Sequence, residues 1–196
     1  MNFIKCFLFF VCMVESNKEN PEFSFPEAVK VKETELYANC TNIVVGKGNL
    51  NADILFVGEA PGANEDLQGL PFVGAAGKNL DKLLDSVGLS LEDIYVANIL
   101  KCRPPENRDP LPEEIRAHTP WLMKQIRDMK PKVVCSLGNY ATKFFLANGD
   151  VDLMAKMDGI SKIRGKVREM EMDGLKFLLI PLFHPAAIIY NRTKLT

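Results

Sequence analysis

Three short segments of this sequence carry side chains that suit either hydrolysis or the recognition of a nucleic-acid base: GEAPG (58–62), NILKCRPPENR (98–108) and FHPAA (183–187). A carboxylate can act as a general acid or base, an amide can read hydrogen-bond donors and acceptors, and a histidine can donate to a developing anion. With the acidic and aromatic residues that follow GEAPG, the candidates are Glu59, Glu65, Asp66, Phe72, Asn98, Asn107 and His184.

Three common catalytic or phosphate-binding motifs are absent from the sequence. There is no GxGxxG, no GxxxxGK[ST] and no GxSxG, so the usual phosphate cradles and a serine triad are unsupported. A glycine after a buried strand lets the backbone approach a ligand closely, and the turn that follows would aim N–H groups at that ligand. We therefore expect Gly58 and Ala60 to contact a substrate.

The segments that must position these residues alternate between strands and helices. Short apolar runs predict strands at 52–57, 94–99, 132–137 and 176–182, and apolar residues at helical spacing predict helices at 75–87, 113–129 and 138–147. This order predicts an α/β fold, a three-layer α/β/α sandwich around a central, mainly parallel four-stranded sheet. The three candidate segments all follow strands, so we expect them to meet at the carboxyl ends of the sheet.

Charge and cysteine content narrow the class of protein. The chain has 196 residues, with 24 Lys and Arg against 25 Asp and Glu, so the formal net charge is −1 and any nucleic-acid site must be a local patch. Its five cysteines form an odd set without a CxxC pair, which is typical of a reduced intracellular protein and not of a disulfide framework. We therefore predict a cytoplasmic protein.

The first 30 residues differ in character from the rest. Residues 3–14 are apolar apart from Lys5 but too few to span a bilayer, and no small-residue cleavage site follows them. A secretory signal, a packed N-terminal segment and a misplaced start codon all remain open. We assign residues 1–30 to an apolar segment and linker of uncertain role, and 31–196 to the functional domain, with a C-terminus that ends early enough to suggest truncation.

A basic stretch at residues 162–168, hereafter the basic segment, alternates cations with other residues. Read as a strand, it would present one basic face able to follow nucleic-acid phosphates, and Lys101, Arg103 and Arg108 of the segment 98–108 would extend that face. The alternative is a solvated hairpin edge whose charges prevent aggregation. The residues predicted to bind nucleic acid are Lys162, Arg164, Lys166 and Arg168.

Six runs of sequence, in this order and at this spacing, resemble the uracil-DNA glycosylase superfamily, and most closely its family 4 enzymes of the iron–sulfur type. They are TNIVVGKGNLNADILFVGEAPG, EDLQGLPFVGAAGKNLDKLL, YVANILKCRPPENRDPLPEE, PKVVCSLGNYAT, KIRGKV and FHPAAIIYN. The resemblance covers residues 41–192. It implies a DNA repair enzyme that hydrolyses the N-glycosidic bond of uracil and leaves an abasic site.

The resemblance implies catalytic roles for three residues. Glu59 and Glu65 match acidic residues that handle water or hold the active-site loop, and His184 matches the histidine that faces uracil O2. Cleavage passes through an oxocarbenium-like sugar while negative charge develops on uracil. A donor at O2 and a carboxylate near the sugar would both stabilise that transition state.

Further residues match the parts of the family site that bind the base. Phe72 matches the aromatic ring on which an extruded uracil stacks, Asn98 the amide that reads the pyrimidine edge, and Asn107 a supporting polar residue. A base in a duplex must leave the stack to enter such a pocket.

The sequence departs from the family pattern at the cluster ligands. The resemblance implies a [4Fe-4S] cluster held by a CxxC pair, a third Cys in KCRPP and a fourth in the next helix. The corresponding positions here are Val31, Thr34, Cys102 and His118, and Cys40 lies six residues beyond the second of them. Cys102 and His118 are the remaining metal-ligand candidates, and loss of the cluster should loosen residues 101–108.

We therefore expect a monomer that acts on uracil-containing DNA, with no membrane partner and no cofactor required for the chemistry. One alternative is a non-catalytic relative that binds uracil-containing or single-stranded DNA. Another is an α/β protein that binds a small nucleotide or nucleoside.

Overall fold

The computed structural model describes residues 34–187, where strands and helices alternate as the sequence predicts. After a 3-10 helix at Glu35–Asn39, the strands are β1 (Lys47–Gly48), β2 (Ile54–Gly58), β3 (Ile94–Asn98), β4 (Val133–Leu137), β5 (Arg168–Met172) and β6 (Leu175–Leu182). The α-helices are α1 (Ala63–Gln68), α2 (Ala75–Asp85), α3 (Pro112–Met129), α4 (Asn139–Leu146) and α5 (Ile160–Ile163).

The strands form one six-stranded sheet in the order β1-β3-β2-β4-β6-β5. The four central strands are parallel, and the edge strands β1 and β5 are antiparallel to their neighbours. Every residue of β2, β3 and β4 is buried, as expected for parallel strands that are covered on both faces.

Successive residues of the central strands pack into two different cores. In β2, Leu55 and Val57 belong to a core that also includes Leu122 of α3 and Phe144 of α4. The second core contains the alternate β2 residues and residues of α2; its members from these two elements are Ile54, Phe56, Leu80 and Leu84. Because side chains of a strand alternate between faces, the sheet is sandwiched between helices, which confirms the predicted three-layer fold.

The sequence predicted a four-stranded sheet, and the structure has six strands because two edge strands were not recognised. Strand β1 has two residues, which is too short to produce a recognisable pattern. Strand β5 has the sequence REMEM and is mostly exposed, so it lacks the apolar run by which the four central strands were recognised.

The prediction of a basic strand through residues 162–168 was also wrong. Ile160 and Ile163 are buried at helical spacing, and the chain forms the short helix α5 over Ile160–Ile163. Gly165 then adopts a φ of +71° in a turn, a conformation that suits glycine. Strand β5 begins only at Arg168, so the four cations do not share one strand face.

The apolar residues 3–14 and the last residues of the chain lie outside the described range, so the predictions about both termini stay predictions. Within residues 34–187, no helix has the length and apolar character needed to cross a membrane.

Candidate active site

The predicted site lies where the central strands end. Two backbone hydrogen bonds join the loop after β2 to residues 99–108, hereafter the rim loop. The N–H of Ile99 donates to Gly58 O, and the N–H of Leu100 donates to Glu59 O, both at 3.0 Å. Parallel pairing of β2 with β3 therefore continues into the loops and brings the GEAPG segment against the rim loop.

Gly58 marks the point at which three of the predicted residues converge. A Cβ atom at Gly58 would lie 2.4 Å from Asn98 Oδ1 and 2.7 Å from Phe72 Cζ. Such distances are too short for any side chain other than hydrogen. Gly58 therefore allows the Asn98 amide and the Phe72 ring to approach the end of β2, while its predicted contact with substrate stays a prediction.

Asn98 is buried, and its Oδ1 atom has no hydrogen-bond partner within residues 34–187. An unsatisfied buried amide oxygen costs free energy unless a ligand or water pairs with it. A buried lysine holds the backbone of Asn98 in place, because Lys101 Nζ donates to Asn98 O at 2.8 Å and also to Gln125 Oε1 at 2.6 Å. Asn98 therefore presents a free polar atom on a rigidly held strand end.

The rings of Phe72 and His184 are neighbours, with ring centroids 5.7 Å apart and planes inclined at 33°. Phe72 has a φ of +53°, which is unusual for a bulky residue. Its carbonyl accepts a hydrogen bond from Lys47 Nζ at 2.9 Å, and it lies directly against Gly77 of α2. These contacts hold the aromatic ring in a conformation that the chain would not otherwise favour.

His184 is placed to donate a hydrogen bond from Nε2. Its Nδ1 atom accepts the backbone N–H of Ala186 at 3.3 Å, so in the neutral ring the proton lies on Nε2. Burial lowers the pKa of His184, although the negative charge of Glu65 opposes this shift. The imidazole is therefore neutral at physiological pH and offers one N–H donor.

Glu65 holds the loop that carries Phe72. Its Oε1 atom accepts the backbone N–H groups of Val73 at 2.8 Å and Gly74 at 2.7 Å. Gly74 precedes the first residue of α2, so these bonds satisfy backbone donors at the start of that helix. The geometry favours the loop-holding role over direct handling of water.

Glu59 differs from Glu65 in its surroundings. Burial raises the pKa of the Glu59 carboxyl to about 7, with a further contribution from the negative charge of Asp109. The pKa of the nearby Tyr140 is also raised by burial and by the same two carboxylates. A carboxyl group with a pKa near neutral is suited to proton transfer at physiological pH.

Two other residues predicted to contact substrate, Asn107 and Ala60, are not among the residues that meet at Gly58. Asn107 is exposed in a 3-10 turn of the rim loop, and its Oδ1 accepts from Arg103 Nε at 2.7 Å. Ala60 is half-buried and packs against the core beneath the site. Their roles in binding substrate stay predictions.

The basic segment lies beside the site although it is not a strand. Lys162, Arg164, Lys166 and Arg168 are all exposed. The Arg164 guanidinium lies 4.7 Å from the centre of the Phe183 ring, next to His184. Asp158 pairs with this segment: Lys162 Nζ donates to Asp158 Oδ1 at 2.8 Å, and this bond, with the positive charges of Lys162, Arg168 and Lys166, lowers the pKa of Asp158. Lys101 does not extend this surface: it is fully buried, which corrects its assignment to the basic face.

Three of the four positions that correspond to cluster ligands, Thr34, Cys102 and His118, lie close together, and Val31 lies outside the described residues. Thr34 Oγ1 lies 3.4 Å from His118 Nε2, and the N–H of Lys101 donates to His118 Nδ1 at 3.0 Å. The Sγ atoms of Cys40 and Cys102 are 2.6 Å apart. This part of the fold therefore corresponds to the place where the resemblance implied an iron–sulfur cluster.

The described residues at this place do not fit a four-iron cluster. Such a cluster needs four thiolate ligands, whereas the described residues offer two sulfur atoms. Two thiolates on one tetrahedral metal would be about 3.8 Å apart, given metal–sulfur bonds of about 2.3 Å, and these two are closer. Both nitrogens of His118 face other groups, and no set of three or more His, Cys, Asp or Glu in residues 34–187 is arranged to hold a metal ion.

Several residues that shape the site were missed in the sequence. Lys47 and Gly77 hold Phe72, and Lys101 with Gln125 supports Asn98. Asp109 raises the pKa of Glu59. Of these, only Lys101 lies within one of the three candidate segments (58–62, 98–108 and 183–187), and its charge suggested exposure instead of burial.

Similarity to known proteins extends over most of the chain. Residues 45–196 match the family model described as "Uracil DNA glycosylase superfamily". A type-4 uracil-DNA glycosylase of Archaeoglobus fulgidus is 46% identical over 165 residues, which are 84% of this chain and 81% of that protein. The type-4 uracil-DNA glycosylase of Saccharolobus solfataricus is 42% identical over 88% of this chain and 79% of its own length. The type-4 uracil-DNA glycosylase of Thermotoga maritima is 44% identical over 81% of this chain and 78% of its own length.

Proposed function

Because the chain belongs to the uracil-DNA glycosylase superfamily, we propose that it removes uracil from DNA by hydrolysing the N-glycosidic bond, which leaves an abasic site. The observation that carries the proposal is the convergence of Gly58, Phe72, Asn98 and His184 at the ends of the parallel strands. This arrangement brings an aromatic ring, an amide and a neutral hydrogen-bond donor together at one place. In this proposal the protein acts on DNA as a monomer inside the cell.

Recognition of uracil rests on Phe72 and Asn98. A base that leaves the stack can lie on the Phe72 ring, which replaces part of the stacking energy lost in the duplex. The Asn98 amide can accept from uracil N3–H and donate to O4. Cytosine presents an acceptor at N3 and a donor at N4, so the same amide orientation meets two mismatched groups.

Bond cleavage rests on His184 and Glu59. As the bond to the sugar breaks, electrons move onto uracil, and the His184 Nε2–H donates to the O2 atom where negative charge develops. The ionised Glu59 carboxylate stabilises the positive sugar and accepts a proton from the attacking water. The products are free uracil and an abasic site, and Glu65 contributes by holding the Phe72 loop.

The proposed activity is tested by incubating the purified full-length protein with end-labelled oligonucleotides and revealing abasic sites with alkali. The substrates are single-stranded uracil DNA and U·G, U·A and T·G duplexes. We expect cleavage of the uracil substrates and none of T·G. Absence of cleavage with retained binding of uracil-containing DNA would instead identify a binding protein, and absence of both would reject the proposal.

The four cations of the basic segment are expected to contact DNA phosphates. Replacing Lys162, Arg164, Lys166 and Arg168 together by glutamine should weaken binding to all sequences alike. Each lost phosphate contact should also reduce the slope of log K against log salt concentration by about 0.7 to 0.9. Binding isotherms at several salt concentrations measure both effects.

Lys176→Gln is the matched control for this substitution. Lys176 is also an exposed lysine but lies near the start of β6, at the end of the strand away from the site. Its replacement should leave the salt dependence unchanged. An unaltered slope in the fourfold variant would remove the basic segment from the DNA interface.

The raised pKa of Glu59 predicts the pH dependence of excision. Since the carboxylate is the active form and the pKa is about 7, kcat/KM should fall about tenfold for each pH unit below 7 and level off above it. His184 has a lowered pKa, so its protonation does not account for a fall centred at 7. Steady-state rates from pH 5 to 9 provide the measurement.

Glu59→Gln identifies the source of this pH profile. The glutamine cannot ionise, so the fall in rate centred at pH 7 should be absent and the low residual activity should change little on crossing this pH. A variant that retained the midpoint near 7 would show that another group titrates.

A further inference from the structure

Two cysteine sulfur atoms lie close together at the position that corresponds to the cluster of the family. Cys40 Sγ is 2.6 Å from Cys102 Sγ, and a disulfide bond would bring them closer by only about 0.5 Å. The two residues are separated by 62 positions in sequence. Their contact joins the N-terminal part of the described chain to the rim loop.

The backbone around each cysteine is already held in place. The N–H of Val44 donates to Lys101 O at 2.7 Å, so the segment after Cys40 lies beside the residue that precedes Cys102. The N–H of Thr41 donates to Asp66 Oδ1 at 2.8 Å, which fixes the residue following Cys40. The two sulfur atoms therefore face each other across segments that other bonds hold together.

We propose that Cys40 and Cys102 form a reversible disulfide that fastens the rim loop to the segment preceding β1. This disulfide would be a redox-sensitive cross-link at the place where the described residues do not fit an iron–sulfur cluster. A single bond of this kind is compatible with the sequence-based prediction of a protein without a disulfide framework, since reversible disulfides occur in reducing compartments.

The chemistry requires an oxidant, for which a small-molecule disulfide such as glutathione disulfide is sufficient. Cys40 is half-buried and Cys102 fully buried, so Cys40 reacts first. Its thiol loses a proton, the thiolate attacks one sulfur of the oxidant, and one molecule of small thiol leaves. Cys102 then loses its proton and attacks Cys40 Sγ, which releases the second small thiol. The two protein thiols are oxidised and the small disulfide is reduced to two thiols.

The two thiols are poorly ionised in the reduced protein. Burial raises the pKa of Cys40 and of Cys102. Because the thiolate is the attacking species, we expect slow oxidation that needs an excess of the small disulfide. Cys135 is fully buried in the core, so it should not react in the folded protein.

Peptide mapping of the full-length protein tests the bond directly. The folded protein is incubated with excess glutathione disulfide, free thiols are alkylated, and the protein is digested with trypsin. We expect peptide 33–47 to be linked to peptide 102–108, which stays whole across Arg103 because Pro104 follows. Reduction before alkylation should separate the two. Separate peptides after oxidation, each alkylated or carrying glutathione, or links to Cys6 or Cys12 instead, would overturn the proposal.

Thermal unfolding tests whether the bond fastens the loop. Closing a loop of this length should raise the Tm of oxidised over reduced protein by about 5 °C or more. Cys40→Ser is the control: it should fold, since Cys40 is half-buried, and its Tm should not respond to oxidation. An unchanged Tm in cross-linked wild-type protein would overturn the fastening role. Neither readout depends on uracil excision.

Discussion

Replacing His184 by alanine is expected to lower the rate of uracil excision by about 10² to 10³-fold, which is the usual effect of removing one preorganised donor to a developing anion. DNA affinity should change little, because the contacts to phosphates lie in the basic segment and the stacking surface is Phe72. Single-turnover rates on single-stranded uracil DNA, together with binding isotherms, separate the two effects.

The expected size of this effect follows from the state of the imidazole. His184 is neutral because burial lowers its pKa, and the Ala186 N–H at Nδ1 directs its proton to Nε2. The donor is thus already oriented before charge develops on uracil, so little reorganisation is needed in the transition state.

His184→Gln provides the matched variant, since its amide N–H can still donate from a side chain of similar reach. It should retain more activity than the alanine variant. Full activity in His184→Ala would exclude the histidine from the mechanism. An equal loss of DNA affinity and rate would assign it to binding alone.

The central part of the fold could be predicted because buried parallel strands produce continuous apolar runs. Strands β2, β3 and β4 were each recognised within two residues of their observed ends. The edges could not be predicted, since β1 has two residues and β5 is largely polar. The basic segment was misread because alternate cations resemble a strand, while the burial of Ile160 and Ile163 that determines the helix depends on tertiary packing.

The side chains of the candidate site were easier to predict than their supports. Asn98 is the last residue of β3 and His184 follows β6, and both strands were recognised. Topology alone therefore places both side chains at the carboxyl ends of the parallel strands. The burial of Lys101 depends on three acceptors, Val45 O, Asn98 O and Gln125 Oε1. These acceptors come from three separate segments, and no local pattern in the sequence indicates that they meet. Burial lowers the pKa of Lys101 to about 7, which is also a property of the folded protein alone.

Gly77→Ala is expected to lower both stability and the rate of excision. It is informative because helix propensity and packing predict opposite changes in stability. Gly77 lies within α2, where propensity alone predicts that alanine stabilises the protein by about 1 kcal/mol. The structure predicts the opposite result. A Cβ atom at this position would lie 1.9 Å from Phe72 O and 2.2 Å from Phe72 C. Because the obstacle is backbone, a side-chain rotation cannot relieve the clash.

The loop carrying Phe72 must therefore move away from α2. Its bonds to Lys47 and Glu65 would be strained or lost. We expect a net loss of about 2 to 3 kcal/mol in the free energy of unfolding, since overpacking outweighs the gain in propensity. Excision should fall by at least about tenfold in the folded variant, because a small misplacement of a substrate-positioning group has a large effect on rate.

Urea unfolding and single-turnover rates measure the two effects separately. Lys78→Ala is the matched control, since Lys78 is exposed on the same helix and alanine there should leave stability within about 0.5 kcal/mol. If Gly77→Ala were as stable as the unmodified protein or more so, with normal excision, the tight contact between α2 and Phe72 would be refuted. Loss of stability with an intact rate would limit Gly77 to packing. Loss of both would show that the backbone approach permitted by Gly77 is what places the stacking ring opposite His184.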